Sequence, residues 1–419
     1  MMSEYAQRRE KLFNLMEENS IAIIGSGVAP MKSLDESYEF FVDRNFYYLT
    51  GIDTENAILL LAKSGNSKIE KLFIERYDEN LAKWVGGRIK PDEAEKKSEI
   101  KDIQYNDEFY GKLCSFLERR RYCGFKVYLD LWKNSFEQAA SFGHKMSSYI
   151  KTNYPQTDIE DIYEKIAKLR MIKDENEIMC IKDAIKATGR ALKVMISYAR
   201  PLMNECEIEG AFDFELARQG KRELAFKTIV AGGERGTTLH YSKNCEEIKN
   251  GELILVDAGC TSAHYCADIS RTFPVNGCFT PRQKEIYNIV LNAQKIVFEN
   301  AKPGITIKQL NDMVIGYYEK ELEAAGLLKE GKTVKDYYFH NISHHLGLDT
   351  HDVSLGNEYP LEPGMVITVE PGLYIEEEKI GIRIEDDILI TDGNAVVLSE
   401  EIPKLPEHIE IIQNKFVEE

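Results

Sequence analysis

Asp257 and Asp268, then Glu370 and Glu385, form two pairs of carboxylates set about two expected hairpin turns, and His340, His344, His345 and His351 lie between the pairs. A turn centred on Ser262 and Ala263 would put Asp257 directly across from Asp268. A second turn at Glu377 and Glu378 would oppose Glu370 and Glu385 in the same way. Cross-strand neighbours lie about 4.5–5.5 Å apart at Cβ. Buried carboxylates that close raise one another's pKa and cost several kcal/mol to desolvate, whereas divalent cations turn the same cluster into coordination. The pattern points to a metal centre.

The elements that must position these residues are legible around them. Leu253-Ile254-Leu255-Val256 and Val366-Ile367-Thr368-Val369 are near-continuous apolar runs leading into Asp257 and Glu370, which implies strands buried on both faces. That burial argues against the commoner role of such acids, as solvated turn residues or, for Glu385-Asp386-Asp387, as a charged edge. Arg383 lies two residues from Glu385 and so on the same strand face, where it can pair with an acid. Thr280-Pro281-Arg282-Gln283 combines an N-cap, a proline at the first helical position and a capping-box glutamine, which predicts a helix from about 281 to 301. A second helix is predicted from Thr306 to Gly326. In the histidine segment, His340 and His344 are four apart, but Asn341 replaces the glutamate of H-E-x-x-H and Gly347 follows closely, so a strand or loop fits better than a zincin helix. Adjacent His344 and His345 then point to opposite faces, and at most one of them enters the carboxylate cluster.

Composition bounds the rest. The chain has 419 residues, 43% of them hydrophobic, which suits two or three domains with large cores. A formal charge of −17 makes nucleic acid and anionic membrane surfaces poor partners. The N-terminus has no apolar stretch of signal-peptide length, and no run approaches the ~20 residues of a membrane span, so a cytoplasmic protein is expected. Eight scattered cysteines, among them Cys123, form no C-x-x-C pair and read as reduced structural thiols. Up to about residue 160, short apolar stretches such as Ile21-Ala22-Ile23-Ile24 and Val127-Tyr128-Leu129 alternate with amphipathic segments, which predicts an α/β domain. Gly25-Ser26-Gly27 lacks the third glycine of a dinucleotide fingerprint and reads as a simple loop. From about 155 to 200 the spacing is helical, with Asp174 and Glu177 placed as N-cap and N3 and Pro201 ending the run.

Taken together, Val256-Asp257-Ala258-Gly259, Ala267-Asp268-Ile269-Ser270-Arg271-Thr272-Phe273-Pro274, Ser343-His344-His345-Leu346-Gly347-Leu348, Val369-Glu370-Pro371-Gly372 and Gly381-Ile382-Arg383-Ile384-Glu385-Asp386 resemble the metal-ligand motifs of the pita-bread metallopeptidases. The match is closest to the aminopeptidase P and prolidase branch, and it covers roughly residues 160–400. Arg44-Asn45-Phe46-Tyr47-Tyr48-Leu49-Thr50-Gly51 resembles that branch's creatinase-like N-terminal domain. The resemblance implies an α+β fold: a creatinase-like α/β domain over residues 1–160, then a pita-bread catalytic domain, a curved antiparallel sheet with covering helices, over 161–419. It implies Asp257, Asp268, His344, Glu370 and Glu385 as ligands of two divalent ions. His240 and His351 match the substrate-contacting histidines, and Arg383 matches the arginine behind the ligands. Asn341 and Thr350 depart from the family's histidine signature; neither is a ligand position.

A shell of carboxylates with one imidazole suits manganese, with cobalt or zinc as alternatives. The implied activity is hydrolysis of the Xaa-Pro bond at the N-terminus of peptides that carry proline second, with a metal-bridging hydroxide as nucleophile and Glu370 as proton shuttle. The alternative is a prolidase restricted to Xaa-Pro dipeptides, and behind it a relative of the same fold that is not a peptidase. Asn45 stands where the branch's tetrameric bacterial enzymes tend to carry an acid reaching a neighbouring site, so a homodimer is expected.

Overall fold

The computed structural model describes residues 2–118, 126–133, 135–329 and 331–414; Cys123 lies outside them. The other seven cysteines carry free thiols. The chain divides into two compact units, Met1–Arg170 and Met171–Glu419.

The first unit is built on a six-stranded mixed sheet with strand order β4-β3-β2-β1-β5-β6, made of β1 (Ser20–Gly25), β2 (Ile58–Ser64), β3 (Ser67–Ile74), β4 (Ile103–Tyr105), β5 (Lys126–Leu129) and β6 (Asp158–Asp161). The apolar runs read from the sequence become its central strands, and Ile21, Ile23, Val127 and Leu129 pack there with Phe109, Leu113, Met146 and Ile150 from helices Asn106–Glu118 and Phe142–Asn153. Asp158–Asp161, expected to be helical, is instead the edge strand, paired parallel with β5 in the register Val127↔Ile159. Ladder bonding outweighs the helical spacing of so short a segment. Asn45 is buried inside this unit, donating to Asp130 Oδ2 at 2.6 Å and accepting from Arg170 Nη1 at 2.7 Å.

In the second unit, helix Glu175–Tyr198 opens with the Asp174–Glu177 capping box, and helix Glu205–Arg218 opens with a capping box of its own. Helices Pro281–Asn300 and Ile307–Ala324 start at the expected caps, Thr280 and Thr306. Among them lie two antiparallel hairpin systems. The first comprises β7 (Ile229–Gly232), β8 (Leu253–Ala258), β9 (Thr261–Ser262), β10 (Tyr265–Cys266) and β11 (Ile269–Pro274), with β8 central between β11 and β7. The second comprises β12 (Val366–Val369), β13 (Gly372–Ile375), β14 (Ile380–Arg383), β15 (Asp386–Leu389) and β16 (Val396–Val397).

The register of the first hairpin differs from expectation. Tyr265 pairs with Ser262, so the turn falls at Ala263-His264, and Asp257 faces Ser270 rather than Asp268. Both turn residues have positive φ, 48° and 66°, the signature of a type I′ turn. The composition of this turn carries no Asn-Gly signal, which is why spacing alone misplaced it. Gly259 is required just beyond Asp257, because a Cβ there would collide with the Ala267 carbonyl oxygen. In the second hairpin the register is as expected: Val369↔Asp386 and Gly372↔Arg383 bracket Glu370 and Glu385 as opposed residues, at the point where one ladder stops and the next begins.

Candidate metal centre

Asp257 enters the site from the middle strand of its sheet, with Ile229 on one side and Ser270 on the other. Asp268 sits at the mouth of β11, two residues from Ser270 and therefore on its face, a diagonal neighbour of Asp257. From the second hairpin come Glu370 and Glu385, whose backbone amides are anchored on the carbonyls of Ile342 and Ser270 at 3.0 Å each. His344 arrives on an extended segment that runs beside β12, its amide donating to Thr368 Oγ1 at 3.1 Å.

These side chains converge. Donor atoms of Asp268, His344 and Glu385 all lie within 4.8 Å of one another. His344 Nε2 stands 3.4 Å from Asp268 Oδ2 and 3.6 Å from Glu370 Oε1. The His344 Nδ1 is 3.0 Å from the His345 carbonyl, which can only accept, so Nδ1 carries the proton and Nε2 turns a lone pair toward carboxylate oxygens. Lone pairs facing lone pairs at these distances call for a proton or a metal ion between them. Asp257 Oδ1 is buried and has no hydrogen-bond partner, which fits the same reading.

The electrostatics agree. Burial first, then Glu385 and Asp257, pushes the Asp268 carboxyl well above its ordinary value. Burial and then Glu385 do the same to Glu370. Burial and then Asp257 raise Glu385 to about 7. Three acids that resist ionising together are a site waiting for positive charge, and oxygen ligands with one imidazole suit a hard or borderline divalent ion.

Around the cluster, Arg383 is fully engaged: Nη2 donates to Asp257 Oδ2 at 2.7 Å, Nε to Ser270 Oγ at 2.7 Å, and Nη1 to the Tyr374 hydroxyl at 3.1 Å. The Ser270 hydroxyl donates to Glu385 Oε2 at 2.8 Å. The Tyr374 hydroxyl donates to His340 Nε2 at 2.9 Å. Ser270, Tyr374 and His340 thus belong to the site although the sequence reading assigned them no part. Period-two spacing from Asp268 and from Gly372 could have pointed to Ser270 and Tyr374, but nothing in sequence joined His340 to Tyr374 across 34 residues.

His345 points away and is buried beside the ion pair of Lys173 and Asp352, whose charged atoms are 3.0 Å apart; burial and then Lys173 hold its imidazole down at about 3, so it is neutral. A cavity of about 510 Å³ opens in front of Asp257 and Asp268 and is lined by His240, His351, Phe226 and Ile229. The ring centroids of His351 and His344 are 4.2 Å apart. Burial and then His344 lower His351 to about 4. The site residues expected from the sequence therefore meet on one side of this unit, with the carboxylates and His344 innermost, Arg383 behind Asp257, and His240 and His351 at the cavity wall.

Comparison with known proteins agrees with this geometry. Residues 179–392 match the model of metallopeptidase family M24, and residues 5–124 match the aminopeptidase P N-terminal domain. An Xaa-Pro aminopeptidase of Haemophilus influenzae is 35% identical over 98% of this chain and 97% of its own. A solved structure of an aminopeptidase P candidate from Bacillus anthracis is 43% identical with a TM-score of 0.95, covering 98% of both chains. Zinc-substituted Escherichia coli aminopeptidase P in complex with product is 32% identical with a TM-score of 0.90, covering 99% of both.

Proposed function

This chain belongs to metallopeptidase family M24, and we propose that Asp257, Asp268, His344, Glu370 and Glu385 hold two divalent ions and that, like its Xaa-Pro aminopeptidase relatives, it cleaves peptides with proline second in front of them. The observation that carries this reading is the His344 Nε2 lone pair aimed at Asp268 and Glu370 with Glu385 in the same cluster. Manganese is the ion we favour for so oxygen-rich a set, over cobalt or zinc. Bound there, such ions supply a Lewis acid for the scissile carbonyl and a water that ionises near neutral pH.

The chain's own groups do the rest. Glu370 turns Oε1 toward His344 and Oε2 toward His340, at 3.6 and 3.8 Å. Oε2 is the oxygen we assign to accept a proton and hand it to the leaving nitrogen. That nitrogen, in a tertiary Xaa-Pro amide, has no hydrogen and must gain one as the bond breaks. His351, kept neutral by burial and by His344, can donate one hydrogen bond to the oxygen of the tetrahedral intermediate, and His240 reaches it from the same wall. Arg383 holds Asp257 in place with a charge-assisted bond and keeps the site's net charge in check.

The test is hydrolysis of Xaa-Pro and Xaa-Pro-Yaa peptides by chelated and manganese-reloaded enzyme, with metal counted per chain. Cleavage of the longer peptides with two equivalents bound is expected. Strict dipeptide cleavage would make it a prolidase, and full activity after chelation would reject the metal centre.

A further inference from the structure

His240 stands within a connection, from Gly232 to Glu246, that no regular ladder holds: the strand β7 stops at Gly232, a single 3-10 turn covers Gly233–Thr237, and His240 follows in irregular backbone. One buried side chain, in the first turn of helix Glu205–Arg218, gathers that connection. The Glu205 carboxylate is fully buried. Its Oε1 accepts from the Gly232 amide at 2.9 Å and from Arg235 Nε at 2.6 Å. Its Oε2 accepts from the Tyr241 hydroxyl at 2.8 Å and from the Glu246 amide at 3.1 Å. All four donors lie on the segment that carries His240, and they grip it at both ends and on the residue next to the histidine.

The neighbours of His240 are fixed from the other side as well. Leu239 and Tyr241 both pack against the apolar cluster of Ile229, Ala231, Leu255 and Tyr374. Further back, the 3-10 turn lies so close to β14 that a Cβ on Gly381 would collide with the Gly236 carbonyl oxygen, which seats the segment directly against the strand that ends in Arg383. A carboxylate is the one side chain that can accept four hydrogen bonds while offering none, and an ionised acceptor makes each of them stronger than a neutral one would. Glutamine at the same place would turn two protons toward two of the donors.

We propose that Glu205 is a positioning residue for the reaction, acting by fixing His240 at the cavity wall; this rests on the assignment of His240 to the substrate side of the site. Glu205 touches neither the substrate cavity nor any of the five candidate ligands, so its influence must pass through the segment it holds. A histidine displaced by an ångström from the oxygen it stabilises costs on the order of tenfold to a hundredfold in rate.

The test is a double-mutant cycle on the metal-loaded enzyme, comparing Glu205→Gln, His240→Ala and the pair by kcat/KM on an Xaa-Pro-Yaa peptide, with metal content measured for each. Expected are losses of about tenfold to a hundredfold for each single variant, unchanged metal, and almost no further loss when Glu205→Gln is added to His240→Ala. Losses that multiply in the pair would show that Glu205 acts on the fold at large and would overturn the proposal alone. A fully active His240→Ala removes the premise, and the proposal with it. Should Glu205→Gln not fold, Tyr241→Phe deletes one of the four bonds without disturbing the buried charge, and the same cycle built on that variant should show the same non-additivity at smaller amplitude.

Discussion

Glu370 and His344 are the residues on which the chemistry turns, and each separates cleanly from a neighbour. Replacing Glu370 by glutamine keeps a ligand oxygen but removes the oxygen able to carry a proton, so the variant should fold, retain metal and lose roughly 10²–10⁴-fold in kcat. Near-native kcat would show that another group moves the proton. His344→Ala should deplete metal, while His345→Phe should not, since His345 lies beside Lys173 and Asp352 on the opposite side of its strand. Metal analysis of the two variants decides this, and the reverse pattern would mean the strand faces the other way. That facing was readable from sequence, because adjacent residues of an extended segment must diverge. For Tyr374 and Ser270 period-two spacing gives the facing alone, and that Arg383 reaches their hydroxyls is set by the fold.

The hairpins decide which of these side chains meet. Symmetric spacing about Glu377 and Glu378 placed the second register correctly because a short 3-10 turn, ended by Lys379 at φ 56°, occupies the midpoint. The same reasoning failed for the first hairpin by two residues, since Ala263 and His264 adopt left-handed backbone that their residue types do not advertise. The turn itself can be tested. Ala263 is exposed and holds φ at 48°, a conformation that costs an L-residue about 1–2 kcal/mol and glycine almost nothing. After the entropy glycine adds to the unfolded chain, Ala263→Gly should still stabilise by about 0.5 kcal/mol and raise Tm slightly with unaltered kcat. A lowered Tm would indicate that the methyl group contributes packing that outweighs the strain.

For the molecule as a whole, the acid cluster ties stability to metal and pH together. Glu385 is raised to about 7, and Asp268 and Glu370 well above their ordinary values, by burial and mutual repulsion. In metal-free protein the native state therefore binds more protons than the unfolded chain across this window. Stability from these groups is fully present below their unfolded pKa and is lost as pH rises through the folded one. Stripped enzyme should accordingly lose Tm between about pH 5 and about pH 8, and the Tm gained on reloading manganese should widen over that range. Calorimetry with and without chelator checks this, and a gap that narrows with pH would contradict the cluster's charge state. Among the described residues no helix is long and apolar enough to cross a membrane. Among its described residues the first unit holds no catalytic constellation, which leaves it to roof the cleft or to build an oligomer; the homodimer expected from the sequence is checked by light scattering. A fully active monomer would leave the first unit without that role.

Glu385 is also the last of the five candidate ligands along the chain, and its backbone amide docks on the Ser270 carbonyl, made long before. During synthesis Asp257, Asp268 and His344 are made before Glu370 and Glu385, and an ion captured early would meet an incomplete set of the proposed ligands. With the five residues holding metal as proposed, the full ligand set comes together only once the hairpin from Val366 to Leu389 has formed, and a nascent chain stalled before that point is expected to bind manganese more weakly than the released protein.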